Sequence, residues 1–192
     1  FFDVNEVNPK PKLFKKRQKE IEYTIDSWKG NFYIYTNLDA EDFKICTCKH
    51  DNIEKWQDYI RATNGVLIGG FNLLNEWMVR SEVRDALSKL YVRNLNTNIE
   101  EELVITDEKV ISPGVSLMQK DRNTNKVYIG YHSPKTPGKT YVYNVLTKEK
   151  KLVKEEIVPT GHNPDDYIVQ RLSCNSHDGK KIPLTITRHK KT

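Results

Sequence analysis

Between residues 65 and 105 the apolar positions gather into four short runs, 66–73, 77–83, 89–95 and 101–105, parted by polar breaks such as Asn75-Glu76 and Asn96-Thr97-Asn98. Runs this short, bounded by turn formers, predict the strands of an antiparallel meander. The layout returns about fifty residues later as 110–118, 126–132, 139–145 and 152–157. The third strands align without a gap, Tyr91-Val92-Arg93-Asn94-Leu95-Asn96-Thr97 on Tyr141-Val142-Tyr143-Asn144-Val145-Leu146-Thr147. A looser copy lies upstream in 21–26, 32–36, 43–48 and 56–60. Four strands per repeat of roughly 40–50 residues is the sequence form of a β-propeller blade.

Finer patterning predicts faces. Ile21, Tyr23 and Ile25 alternate with Glu22, Thr24 and Asp26, so one face of that strand should be buried. The run Phe32-Tyr33-Ile34-Tyr35-Thr36 is aromatic or aliphatic almost throughout and predicts an inner strand covered on both faces. Gly69-Gly70 predicts either a bulge or a close backbone approach to a ligand. Past Pro159 the blade rhythm breaks: 160–167 is rich in turn formers, and 167–174 and 181–188 flank His177-Asp178-Gly179, a hairpin signal. The expected fold is all-β, a partial β-propeller of about three four-stranded antiparallel blades over 1–160, then a hinge and one β-hairpin over 161–192. Three blades in a row leave uncovered apolar faces that ring closure would protect, which predicts a sticky isolated chain.

Composition narrows the function classes. At 192 residues, 37% hydrophobic and 30% charged, the chain is globular. The net charge of +5 comes mostly from lysines scattered singly, a solvated surface and not a clustered nucleic-acid footprint, so no nucleic-acid partner is expected. Three cysteines make no disulfide framework and suit a reducing, cytoplasmic setting. No apolar run reaches the roughly 18 residues of a membrane span, and no membrane partner is expected. The first residue is Phe, so a start that is missing or processed is expected, and the lack of a signal peptide carries little weight.

Candidate chemistry is sparse. Cys46 and Cys48 point the same way from a strand with His50 nearby, but zinc sites usually need more ligands, and free, semi-buried thiols are the simpler reading. Ser112-Pro113-Gly114-Val115-Ser116 fails as a nucleophile elbow, because Met118 stands where glycine is required and the pattern continues as a strand. His132 and Ser133 are neighbours in a strand pattern and should face apart. Asp165 and Asp166 likewise cannot act as a paired acid and base, and His177-Asp178 reads as turn chemistry. No catalytic residue, metal or cofactor is assigned.

Several stretches together resemble the prolyl oligopeptidase family, most closely its oligopeptidase B (protease II) branch: Glu22-Tyr23, Phe32 to Ala40, Phe43-Lys44, Gly65-Val66-Leu67, Tyr167 to Leu172, Asp178-Gly179 and Ile182-Pro183-Leu184. The similarity runs in order over almost the whole chain; the loop Ser133 to Gly138 departs a little from the family's Pro-rich loop. The resemblance implies a serine endopeptidase whose α/β-hydrolase catalytic domain is capped by a seven-bladed propeller that gates entry of short peptides, with cleavage after Arg or Lys. It implies that triad and oxyanion donors belong to a later segment, that the missing catalytic domain is this chain's partner, and that the chain alone is inactive. The competing expectation is a non-catalytic interaction module or the remnant of a split gene.

Overall fold

The structure, a computed structural model, describes residues 1–117 and 122–192. It contains three four-stranded antiparallel sheets and one separate two-stranded sheet, distributed over two compact units, Phe1–Asn64 and Gly65–Thr192.

The first unit is a meander of β1 (Tyr23–Trp28), β2 (Asn31–Thr36), β3 (Lys44–Lys49) and β4 (Gln57–Ile60). Trp28 pairs with Asn31 around Lys29-Gly30, both at positive φ (48° and 78°), the two-residue turn whose twist suits a hairpin. Successive side chains of β2 go to opposite faces. Phe32 and Ile34 join Phe14, Cys46 and Cys48 in a buried cluster, while Tyr33 meets Tyr59 edge-on at 5.4 Å and Tyr35 stacks on Phe43 at 4.5 Å. Phe32, Tyr33, Ile34 and Thr36 are buried, as the pattern predicts. The neighbouring strand departs from its pattern: Ile25 is exposed, because β1 is an edge strand with a ladder neighbour on one side only. The fourth strand starts at Gln57 and not at Trp56, whose indole N–H is engaged by the carbonyl of Ile53 at 2.8 Å in the preceding turn.

In the second unit β5 (Val66–Leu74), β6 (Trp77–Arg84), β7 (Leu87–Asn94) and β8 (Glu100–Glu102) form one sheet, and β9 (Ser112–Leu117), β10 (Lys126–His132), β11 (Lys139–Asn144) and β12 (Lys150–Glu155) the next. Leu74, Val79, Leu90 and Val92 of the one pack with Val127, Ile129, Tyr131 and Tyr143 of the other in a single buried core. The aligned third strands end in the same turn. Asn94 Oδ1 accepts from the backbone N–H groups of Asn96 and Thr97, Asn144 Oδ1 from those of Leu146 and Thr147, and Asn98 and Lys148 both take φ near +60°. The ladder between β5 and β6 slips at Gly69-Gly70, and a Cβ on Gly69 would run into Ser81 Oγ, so the glycines form a bulge.

Two strand ends differ from expectation. β8 stops at Glu102 and not at residue 105, because Leu103 and Ile105 leave the edge to fill the core between the sheets. β12 begins at Lys150 and is exposed along its whole length, so its lysines and not apolar packing set its bounds. The predicted first strand 110–118 is observed as Ser112–Leu117; Met118 and residues 119–121 lie outside the described residues. Asn163 caps a single 3-10 turn, Pro164–Asp166, and the chain then enters the hairpin β13 (Tyr167–Asn175) and β14 (Lys181–His189). The strands of this hairpin pair only with each other among the described residues.

Candidate functional site

The sequence-derived candidates do not converge. Cys46 donates to Asp58 Oδ1 at 3.6 Å, and burial pushes its thiol up to about 11; Cys48 is also buried and pushed up by burial. His50 lies against Phe32 (4.4 Å) and Ser27 Oγ (3.0 Å). Among the described residues no three His, Cys, Asp or Glu side chains are grouped to hold a metal ion. Ser112 and Ser116 lie in the extended strand β9, not at a strand-to-helix elbow. Ser133 Oγ donates to Glu108, not to His132. Asp165 and Asp166 are exposed in the capped turn. Asp178 accepts from Ser176 Oγ and from the Lys180 N–H at the hairpin tip; the Ser176 hydrogen bond, foremost, holds its carboxyl below the ordinary value.

Geometry instead draws attention to the place where the hairpin meets the two sheets of the second unit. Glu108 is the clamp there. Its carboxylate accepts from Ser133 Oγ at 2.5 Å and from the buried Thr136 Oγ1 at 2.6 Å, while Ser133 Oγ accepts from the N–H groups of Lys135 and Thr136. The loop between β10 and β11 is thereby fixed, with the Lys135 carbonyl presented to the linker. His162 Nε2 approaches that carbonyl at 2.7 Å; an acceptor-only partner makes the imidazole N–H the donor. The same ring stacks on Tyr167 with centroids 5.1 Å apart, and Tyr167 meets His189 edge-on. Further along β13, Arg171 donates to the carbonyl of Asp85 in the β6–β7 turn, and its other nitrogen donates to Thr185 Oγ1 at 2.8 Å.

The hairpin register sorts its side chains. Ile168, Leu172, Cys174, Ile182, Leu184 and Ile186 share one face with Gln170 and Arg188; Tyr167, Val169, Arg171, Thr185 and Thr187 share the other. Two residues of the second face reach the sheets, Arg171 at the Asp85 carbonyl and Val169, which with Lys135 lines one cleft beside residues 106–110, while Thr185 and Thr187 stay exposed. The apolar face turns out, leaving Leu172, Leu184, Ile186 and Ile182 between 40% and 49% exposed. These four aliphatic side chains have no covering layer among the described residues.

Nothing in the apolar periodicity marks Glu108 or Arg171, since each acts through a partner distant in sequence. One missed feature does carry a local signal. Arg80 and Glu82 sit two apart in a strand whose Trp77, Met78, Val79 and Val83 are apolar, so they share a face, and both are buried in an ion network with Glu100: Arg80 Nη1 to Glu82 at 2.9 Å, Nη2 to Glu100 at 2.7 Å and Nε to Glu100 at 3.0 Å.

Known proteins supply the context. Residues 2–156 match the family model described as prolyl oligopeptidase, N-terminal β-propeller domain. Dipeptidyl aminopeptidase BI of Pseudoxanthomonas mexicana is 32% identical over 178 residues, 91% of this chain and 24% of that protein. Protease 2 of Moraxella lacunata is 21% identical over 173 residues, 90% of this chain and 24% of its own length. Oligopeptidase B of Trypanosoma brucei superposes with a TM-score of 0.83 at 25% identity, over 93% of this chain and 26% of that one. The Leishmania major oligopeptidase B structure, at 18% identity and a TM-score of 0.84 over 98% of this chain and 28% of that one, shares the fold. The chain thus spans about a quarter of the length of the relatives it matches. Its all-β architecture of four-stranded antiparallel sheets is that of a partial propeller. The chain belongs to the prolyl oligopeptidase family, of whose N-terminal β-propeller domain it forms a part.

Proposed function

We propose that this chain is the propeller-side portion of a cytoplasmic serine endopeptidase of the oligopeptidase B type, which cleaves short peptides after basic residues. The propeller gates access, and an α/β-hydrolase domain outside the chain carries the chemistry. The observation that carries the reading is the outward aliphatic face of the hairpin. The four half-exposed side chains Leu172, Ile182, Leu184 and Ile186 each stand to gain on the order of 1 kcal/mol from burial, which is what the first hairpin of a following domain needs from that domain. The domain boundary lies at 160/161, with the propeller part before it and the hinge and hairpin after it. The triad and oxyanion donors are absent from the proposed roles of these residues, so the chain alone does not hydrolyse peptides.

One observation favours a second specificity. The relative at 32% identity is named a dipeptidyl aminopeptidase, which points to removal of dipeptides from a free N-terminus.

The coding sequence beyond Thr192 tests the reading. A G-x-S-x-G followed by an aspartate and a histidine supports it; a stop soon after Thr192 favours a non-catalytic interaction module or a split-gene remnant. With that segment joined, release of chromophore from an N-blocked arginyl substrate supports the endopeptidase, whereas turnover restricted to unblocked dipeptidyl substrates supports the second specificity. Limited proteolysis tests the boundary: first cleavage between Thr160 and Asp166 supports it, and cleavage elsewhere with the linker intact refutes it.

A further inference from the structure

We infer that His162 and Arg171 are positioning residues, two polar pins that hold the hairpin against the propeller portion around a glycine pivot. Burial does not hold it there. The cleft of about 410 Å³ lined by Thr106, Asp107, Glu108, Lys135 and Val169 lies between β13 and the sheets; Val169 is the one hairpin side chain on its lining, and Leu172, Ile182, Leu184 and Ile186 lie on the opposite face of the hairpin. The attachment runs through two hydrogen bonds to backbone carbonyls, His162 to Lys135 and Arg171 to Asp85.

Both pins are pre-oriented. Thr185, directly across the ladder from Arg171, accepts from one guanidinium nitrogen and leaves the other for the Asp85 carbonyl. The His162 ring is stacked on Tyr167, and its acceptor belongs to the loop clamped by Glu108. Both receivers are therefore tight, sheet-anchored turns, the β6–β7 turn having Asp85 and Ala86 at φ +50° and +55°.

The pivot lies between the pins and β12. Gly161 has φ +84° with open space where a side chain would stand, and its N–H closes a turn onto the Val158 carbonyl at 2.9 Å. From Asn163 onward the chain is stiff: the cap, Pro164 and the Lys190 N–H donated to the Asp166 carbonyl tie the 3-10 turn to the hairpin. The hairpin with its capped turn consequently moves as one rigid flap about Gly161, released when the two pins break. Resting on the proposed function, that flap sets where a following catalytic domain sits.

The test needs no activity, so its failure leaves the peptidase reading to be decided by the downstream coding sequence. Cys174 is exposed near the hairpin tip, whereas Cys46 and Cys48 are buried, so a nitroxide can be placed on Cys174 and on a Glu149→Cys blade position in the 192-residue chain. Pulsed dipolar spectroscopy then reads the ratio of the short-distance to the long-distance population. Arg171→Ala and His162→Ala are each expected to lower that ratio about fivefold to tenfold, the effect of one net hydrogen bond. The double variant combines the two effects, and Arg171→Lys, which keeps a donor for the Asp85 carbonyl, recovers most of the short population. An unchanged distribution in both alanine variants overturns the inference. So does Arg171→Lys matching Arg171→Ala, or equal broadening in a control pair, Arg84→Cys with Glu149→Cys, in a Cys174→Ser background.

Discussion

Replacing Arg80 by Met removes a cation that is nearly inaccessible, with 6% of its side chain exposed, from between two carboxylates. The guanidinium makes three hydrogen bonds of 2.7–3.0 Å to Glu82 and Glu100 and lies 4.5 Å from the centre of the Tyr91 ring. Glu82, with 8% of its side chain exposed, is left as a buried charge without its cation, whereas Glu100 at 20% can partly rehydrate. Breaking one side of such a network costs about 3–5 kcal/mol; partial rehydration of Glu100 places Arg80→Met near the lower end, about 3 kcal/mol. For a chain of this length that lowers Tm by about 6–12 °C. The decisive arm is the double variant Arg80→Met/Glu82→Gln, which removes the stranded charge and should recover at least half of the loss. Urea unfolding followed by tryptophan fluorescence reads all three proteins. A single variant within about 0.5 kcal/mol of the parent, or a loss that Glu82→Gln fails to relieve, would refute the burial argument.

Other consequences follow from the same structure. Asn94→Ala and Asn144→Ala each remove an acceptor of two turn N–H groups and should each cost about 1 kcal/mol; markedly unequal losses in thermal unfolding would mean that the two repeats do not use the turn alike. Burial pushes the Cys46 thiol up to about 11 and, with the charge of Tyr59 as a lesser cause, the Tyr33 hydroxyl up to about 12, so the folded chain keeps protons that the unfolded chain releases. Stability from these groups is intact below the ordinary thiol value of 9.0 and falls as pH climbs from there toward 11; urea midpoints that stay flat or rise over that window contradict this. Alkylation followed by mass spectrometry should modify Cys174 first and reach Cys46 and Cys48 only on unfolding, and prior labelling of Cys46 would overturn its placement in the core.

The strand pattern was legible because sheet burial has a period of two and because blades repeat. Phe32 to Thr36 announced a strand used on both faces, and the shared Tyr-Val-x-Asn text of the third strands encoded a shared turn. What stayed illegible depends on geometry across the sheets. An apolar residue cannot declare whether it continues an edge strand or turns into a core, which is why β8 ends at Glu102 while Leu103 and Ile105 pack inward. Glu108, His162 and Arg171 act through partners 25 to 86 residues away, beyond the reach of any periodicity. Arg80 and Glu82 could have been found, since two opposite charges spaced by two beside the apolar Met78, Val79 and Val83 share a face and, once buried, satisfy each other.

The most direct test of the central claim is covalent labelling of the purified 192-residue chain with a fluorophosphonate that traps activated serines, run beside hydrolysis of an arginyl chromogenic peptide. The proposed role, with the chemistry carried by a separate catalytic domain, predicts no labelled serine and no turnover above buffer. Stoichiometric labelling of Ser112, Ser116, Ser133 or any other serine of the chain, together with steady turnover by a contaminant-free sample, would contradict it.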